Sequence, residues 1–148
     1  MVEVTRSVRI QAGCRDCMDL ILRSLSTIDG VLLMKFFDND LVITYDTDRI
    51  KFSDIAELIL SMGIGLFLRK VILNIGGEYV NVDQVSSMIV DSVDGVVYLL
   101  RESNSPRLSI LAHPDTDLNA VINELRGLGV NVRGVVNDEV TYILMAQS

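Results

Sequence analysis

At 148 residues and 49% apolar content, the chain holds one ordinary domain or two very small ones and has enough apolar surface to bury a core, which excludes a disordered segment. Its formal charge of −7 excludes a general electrostatic grip on nucleic acid or an anionic membrane, and no apolar run approaches the ~20 residues that insert across a bilayer. No apolar signal region opens the sequence, and 2 cysteines cannot build a framework of several bridges, so a soluble protein of a reducing, cytoplasmic compartment is expected.

In chain order, Thr5–Gln11 reads as a strand and Arg15–Ile28 as a helix. Val31–Phe37 and Leu41–Asp46 follow as strands joined by a turn at Asp38–Asp40. A second helix is expected over Phe52–Met62, with Ser53 or Asp54 as N-cap and Gly63 ending it, and a strand over Leu66–Leu73. The order then recurs as strand Lys70–Ile75, helix Val80–Ser92, strands Val96–Arg101 and Leu108–Ala112, helix Leu118–Gly127 and strand Val130–Val136.

The residues themselves carry the recurrence. Asp29-Gly30-Val31 returns as Asp94-Gly95-Val96, 65 positions on. The same shift lays Ile10 on Ile75, Cys17 on Val82, Leu20 on Val85, Leu25 on Val90 and Ile28 on Val93. With small loop adjustments it lays Phe52, Ile55, Ile59, Met62 and Gly63 on Leu118, Val121, Leu125, Leu128 and Gly129. Each set has the spacing of an amphipathic helix stripe. The expected fold class is therefore α+β: two tandem ferredoxin-like βαββαβ units, residues 1–68 and 69–148, each a four-stranded antiparallel sheet with two helices on one face. The junction "GLFLRKVILNIGG" lacks linker composition, so rigid coupling is expected. Beyond Val136, an Asn137-Asp138 turn and an extra C-terminal strand, Val140–Met145, are expected. That strand either folds back as a hairpin on Val130–Val136 or crosses to a second chain, and of the two the homodimer is preferred.

Both cysteines lie in "AGCRDC", between the first strand and the first helix. Helix N-terminal amides favour negative charge, and thiolate is the form that binds metal. Two thiolates on one short loop suit Cu(I), which accepts two-coordinate geometry, whereas Zn(II) wants four ligands. A thiol redox pair and simple packing are the competing readings; no Trp or Pro flanks the loop in the manner of a thioredoxin-type pair.

The strand, "AGCRDC", then Ile21, Leu25, Ile28, Asp29-Gly30-Val31, Ile43-Thr44-Tyr45-Asp46, Ile55, Ile59 and Met62-Gly63 resemble a heavy-metal-associated domain over about Val4 to Phe67. Such domains form small copper chaperones and N-terminal modules of copper-transporting P-type ATPases. The resemblance implies that Cys14 and Cys17 are metal ligands, that Cu(I) or another soft ion is bound and passed on by thiolate exchange, and that a metal-transporting ATPase or other copper-handling protein is a partner. The sequence departs from the family in having Ala12 where a Met precedes the first cysteine and Ile64 where an aromatic residue or Lys is common. The second unit, with Tyr79 and Val82 at the cysteine positions, resembles a degenerate copy that lacks the site.

The remaining candidates read as structural. Arg15 and Asp16 are solvated loop residues, Met18 packs, Tyr79 plugs the vacated site, and His113, before Pro114, is a surface-loop histidine. With a single histidine in the chain there is no nucleophile–base pair, so no enzymatic activity is expected. The expected function is a metallochaperone or metal-sensing module. The alternatives are a non-metal ferredoxin-like regulatory or interaction module and a thiol redox pair. A homodimer joining two cysteine loops would supply four thiolates and admit Zn(II).

Overall fold

The structure is a computed structural model and describes residues 2–11, 15–76, 81–102 and 105–144, Arg15 by its backbone alone. Among the described residues, seven strands and four helices follow one another as β1 (Glu3–Arg9), α1 (Arg15–Ser26), β2 (Val31–Phe37), β3 (Asp40–Asp46), α2 (Phe52–Ser61), β4 (Leu66–Ile75), α3 (Val82–Ser92), β5 (Val96–Arg101), β6 (Arg107–Ala112), α4 (Leu118–Gly127) and β7 (Val132–Ile143). The strands form two sheets, ordered β1-β3-β2 and β5-β6-β4-β7. The chain divides into two compact units: one holds the chain up to Phe67 together with the segment from Tyr142 on, the other Leu68–Thr141. None of the described helices is long and apolar enough to cross a membrane.

In the first unit, β1 and β2 flank β3, each antiparallel to it, with Thr5 opposite Thr44 and Met34 opposite Ile43. Alternation sends Leu41, Ile43 and Tyr45 to the inner face, all fully buried. α1 supplies Ile21 and Leu25 to that core, and α2 supplies Phe52, Ile55 and Ile59. Each such side chain contributes roughly 1.5–3 kcal/mol relative to exposure. In the second unit, Val71, Leu73, Leu99, Leu108 and Ile110 of the sheet pack with Ile89, Val121 and Leu125 of the helices.

Two backbone devices occur in both units. Gly30 and Gly95 end the helix-to-strand turns with φ of 101° and 108°. That left-handed conformation strains any residue with a Cβ, and a Cβ at Gly30 would also stand 2.8 Å from Arg49 Cβ. Their carbonyls accept the Asp46 and His113 N–H groups, each at 2.8 Å. Where a sheet's entry strand meets the segment after an α-helix, Gln11 N–H donates to Gly65 O at 2.8 Å, and Gly76 N–H donates to Asn131 O at 2.7 Å.

The structure corrects several expectations. The first sheet has three strands, not four. Its expected fourth strand is the start of β4, a single 10-residue strand that joins the two stretches read separately from sequence. β4 takes its neighbours from the other sheet, so its link to β1 reduces to one bridge, Ile10 with Leu66. No extra C-terminal strand exists among the described residues. β7 runs straight through Asn137-Asp138, because Asp138 is held by Arg69 of β4 at 2.6 Å and neither turn position is a glycine that would force reversal. α2 is capped at Lys51 rather than at Ser53 or Asp54; Asp54 instead accepts the Lys51 N–H at 3.0 Å from within the first turn. Leu20, aligned by the repeat with Val85, is 42% exposed, while Ile21 and Leu25, the stripe expected beyond Cys17, are fully buried.

Candidate functional site

The segment that carries the cysteines is anchored on both sides. On entry, Ile10 is 1% exposed; its N–H donates to Asn39 O at 2.9 Å, and the next residue is fixed to Gly65. The Gly65 site is tight: a Cβ there would lie 2.5 Å from the Gln11 side-chain oxygen. On exit, α1 begins at Arg15, and its position is set by Ile21 and Leu25, one and two turns beyond Cys17 and both fully buried.

Cys17 is the third residue of α1 and is half-buried. The first four backbone N–H groups of a helix have no intrahelical acceptor, so this turn presents donors and the positive end of the helix dipole. Cys17 is disulfide-bonded in this structure. A disulfide sulfur carries no thiolate charge, so metal ligation at Cys17 requires the reduced form. Cys14, with Ala12 and Gly13, lies outside the described residues. Ile64, a departure from the pattern that the sequence resembles, is 5% exposed and adjoins the Gly65 that anchors Gln11. It presents apolar surface to the interior rather than a charge to the loop. Asp16 is exposed and Met18 half-buried, as solvated and packing residues should be. Among the described residues, no three His, Cys, Asp or Glu side chains converge on a common point. A shallow concavity lined by Ser26, Val31, Leu32, Leu33 and Met34 lies at the far end of α1 from Cys17.

At the position matching Cys17 in the second unit, Val82 opens α3 and packs against the core. The helix is capped by Asn81, whose side chain accepts the Gln84 N–H at 3.3 Å. Tyr79 lies outside the described residues.

His113 differs from its expectation as a surface residue: it is 1% exposed. It directly follows β6, its N–H donates to Gly95 O at 2.8 Å, its Nδ1 accepts the Asp115 N–H at 3.0 Å, and its carbonyl accepts the Thr116 N–H at 3.0 Å. Asp46 does the same at the end of β3. Its N–H pairs with Gly30, its Oδ1 accepts the Asp48 N–H at 3.1 Å, and its carbonyl accepts the Arg49 N–H at 3.0 Å. The imidazole thus stands in for an Asx-type turn acceptor. The sequence signal for this role was its alignment near Asp46.

No protein-family model matches the chain, and no curated protein matches it. Among solved structures, the N-terminal soluble domains of Bacillus subtilis CopA align over 88% of this chain and 92% of theirs, at 14% identity and a TM-score of 0.49. The N-terminal extension of Cupriavidus metallidurans CzcP aligns over 84% and 96%, at 16% identity and a TM-score of 0.34. The water-soluble region of the P-type ATPase CopA from Bacillus subtilis aligns over 88% of this chain and 90% of that one, at 14% identity and a TM-score of 0.52. This last similarity carries the architectural conclusion: the chain shares an α+β fold of antiparallel sheets and covering helices with that region.

Proposed function

We propose that the chain binds one soft metal ion, Cu(I), through the reduced thiolates of Cys14 and Cys17, and acts as a metallochaperone or metal-sensing module rather than as an enzyme. The observation that carries this reading is the placement of Cys17 in the first turn of α1, directly after a strand end pinned at Ile10 and Gln11. It occurs in a fold similar to the water-soluble region of a P-type ATPase. The two cysteines stand three positions apart in the sequence, and Cu(I) bound by two thiolates asks for no further protein ligand. The ion leaves by exchange: an incoming thiolate of a partner, such as a metal-transporting ATPase, bonds to the ion as one loop thiolate is released, and a second exchange completes transfer. The pair must stay reduced for this, which fits a cytoplasmic setting.

The second unit is read as a degenerate copy of the first. Support comes from the recurrent glycine turns at Gly30 and Gly95, the matching roles of Asp46 and His113, and Val82 packed where Cys17 stands in the first unit. It holds no cysteine, so a relay between two cysteine sites within one chain is not part of the proposal.

The test is an anaerobic competition titration of the reduced protein with Cu(I), following thiolate-to-metal charge transfer in the near ultraviolet. One ion per chain is expected, and none in the Cys14→Ser/Cys17→Ser variant. Absence of binding, or binding that survives loss of both cysteines, overturns the reading. The disulfide at Cys17 favours a second reading, a thiol redox pair. A reduction potential poised near that of the glutathione pool, together with failure to bind Cu(I), would select it.

A further inference from the structure

β7 is an edge of the four-stranded sheet and is 12 residues long. Such an edge exposes a row of backbone donors and acceptors, and proteins usually blunt it with proline, bulges or rows of lysine. β7 contains no proline and no lysine, and Val135, Val136 and Val140 are 47%, 45% and 41% exposed. We propose that β7 pairs antiparallel with β7 of a second copy of this chain, about a twofold axis at Val136, with Arg133 of each copy opposite Glu139 of the other.

The backbone fixes which groups are available. Gly76 N–H donates to Asn131 O, and seven residues back along β4 Arg69 faces Asp138, seven residues on. In an antiparallel ladder of that register, the odd-numbered residues of β7 turn their N–H and C=O toward β4, and the even-numbered ones turn theirs outward. The outward Val132 carbonyl accepts a long bond, 3.4 Å, from Arg126 Nη2, which agrees with this direction. A second strand must therefore pair even residues with even residues, and its register can shift only in steps of two.

Among those registers the axis at Val136 is singled out by the side chains. It sets Val136 against Val136, Val132 against Val140 and Arg133 against Glu139. Arg133 and Glu139 are exposed and have no ion pair among the described residues. They fall at a non-hydrogen-bonded pair, where side chains approach most closely. One step either way puts Arg133 opposite Asn137 or Thr141, and both charges lose their partners. Gly134 supports the same axis. It has ordinary backbone, and a Cβ there would meet nothing within 4 Å, so packing within the chain does not require glycine. In the proposed pair Gly134 faces Asp138 of the second copy, where a missing side chain leaves room for the Arg69–Asp138 pair; a glycine inside a strand often marks such close approach.

The experiment is sedimentation velocity of the reduced full chain over a wide concentration range, with Arg133→Glu, Glu139→Arg and the double exchange. The wild type should dimerise. Each single reversal places like charges opposite each other at two symmetric positions and should weaken association about tenfold or more. An equimolar mixture of the two single variants should associate again, because every charge then meets its opposite, and the double exchange should dimerise like the wild type. Far-ultraviolet circular dichroism checks that each variant is folded. A wild type that is monomeric throughout, a dimer indifferent to both reversals, or single variants that do not associate on mixing would each overturn the proposal.

Discussion

Asp46 is a buried carboxylate, 2% exposed, that serves the backbone rather than a ligand. Its Oδ1 accepts the Val2 N–H at 3.2 Å and the Asp48 N–H at 3.1 Å, tying the start of β1 to the turn after β3. Arg49 Nε stands 3.6 Å from Oδ2. Removing the acceptor takes two part-buried hydrogen bonds from the turn at once, each with a net worth of about 1 kcal/mol. Asp46→Ala should therefore destabilise the chain by about 2 kcal/mol. Asp46→Asn, which retains Oδ1, should cost less than half as much. Urea unfolding midpoints with an unchanged slope check this; equal midpoints for Asp46→Ala and wild type would show that the turn needs no such acceptor. His113 performs the analogous task with an imidazole, and its burial was invisible in the sequence. His-Pro beside acidic residues has loop composition, and nothing local reveals that the Gly95 carbonyl, 18 residues earlier, closes over it.

At the scale of elements, β4 and β7 explain where sequence reading succeeds and where it stops. The helices were legible because their apolar periodicity coincides with burial: Ile55 and Ile59 on α2, Val121 and Leu125 on α4. Cys17 at the start of α1 was legible for the same reason, since the stripe through Ile21 and Leu25 dates the helix start. The single β7 was not legible. Asn137-Asp138 has the composition of a turn, and only the partner strand decides whether it turns. Here Arg69 decides it, with Nε to Asp138 Oδ1 at 2.8 Å and Nη2 to Oδ2 at 2.6 Å, a bidentate pair, while Nη1 holds Thr116 O at 2.8 Å. The hydrogen bonds from Arg69 hold the Asp138 carboxyl below its ordinary value of 3.8, against a smaller opposing effect of burial. A carboxyl whose pKa is lowered by folding stabilises fully above the unfolded value and loses that contribution as pH falls through the folded value. The pair is partly exposed, so its worth is about 1 kcal/mol or less after solvent screening. Asp138→Asn should lower stability at neutral pH by that amount and flatten the acid limb of the stability–pH curve below about pH 4. Parallel curves for the two proteins down to pH 2 would show that Arg69 contributes nothing through this carboxylate.

For the molecule as a whole, the proposed cysteine site would link metal, protons and redox state to folding. A ligand that binds the folded chain and not the unfolded one adds RT ln(1 + [L]/Kd), about 4 kcal/mol when the free ion exceeds Kd a thousandfold. Cys17 sits on a helix whose Ile21 and Leu25 are fully buried, so an ion held there reports on the core of the first unit and not on a frayed end. Reduced protein should therefore melt higher with Cu(I) than without it, and protein oxidised at Cys17 should melt at the same temperature in both. Proton linkage sharpens the test. Binding through two thiols releases up to two protons, so below the free thiol range log affinity should fall by about 2 for each unit of pH. A single cysteine ligand would give a slope of about 1, and a site built on carboxylates would give none in that range. Calorimetric melts of reduced and oxidised protein, joined to competition titrations at several pH values, thus separate a two-thiolate site from adventitious binding. An oxidised chain stabilised by Cu(I) as strongly as the reduced one would remove the cysteines from the account, whatever the affinity.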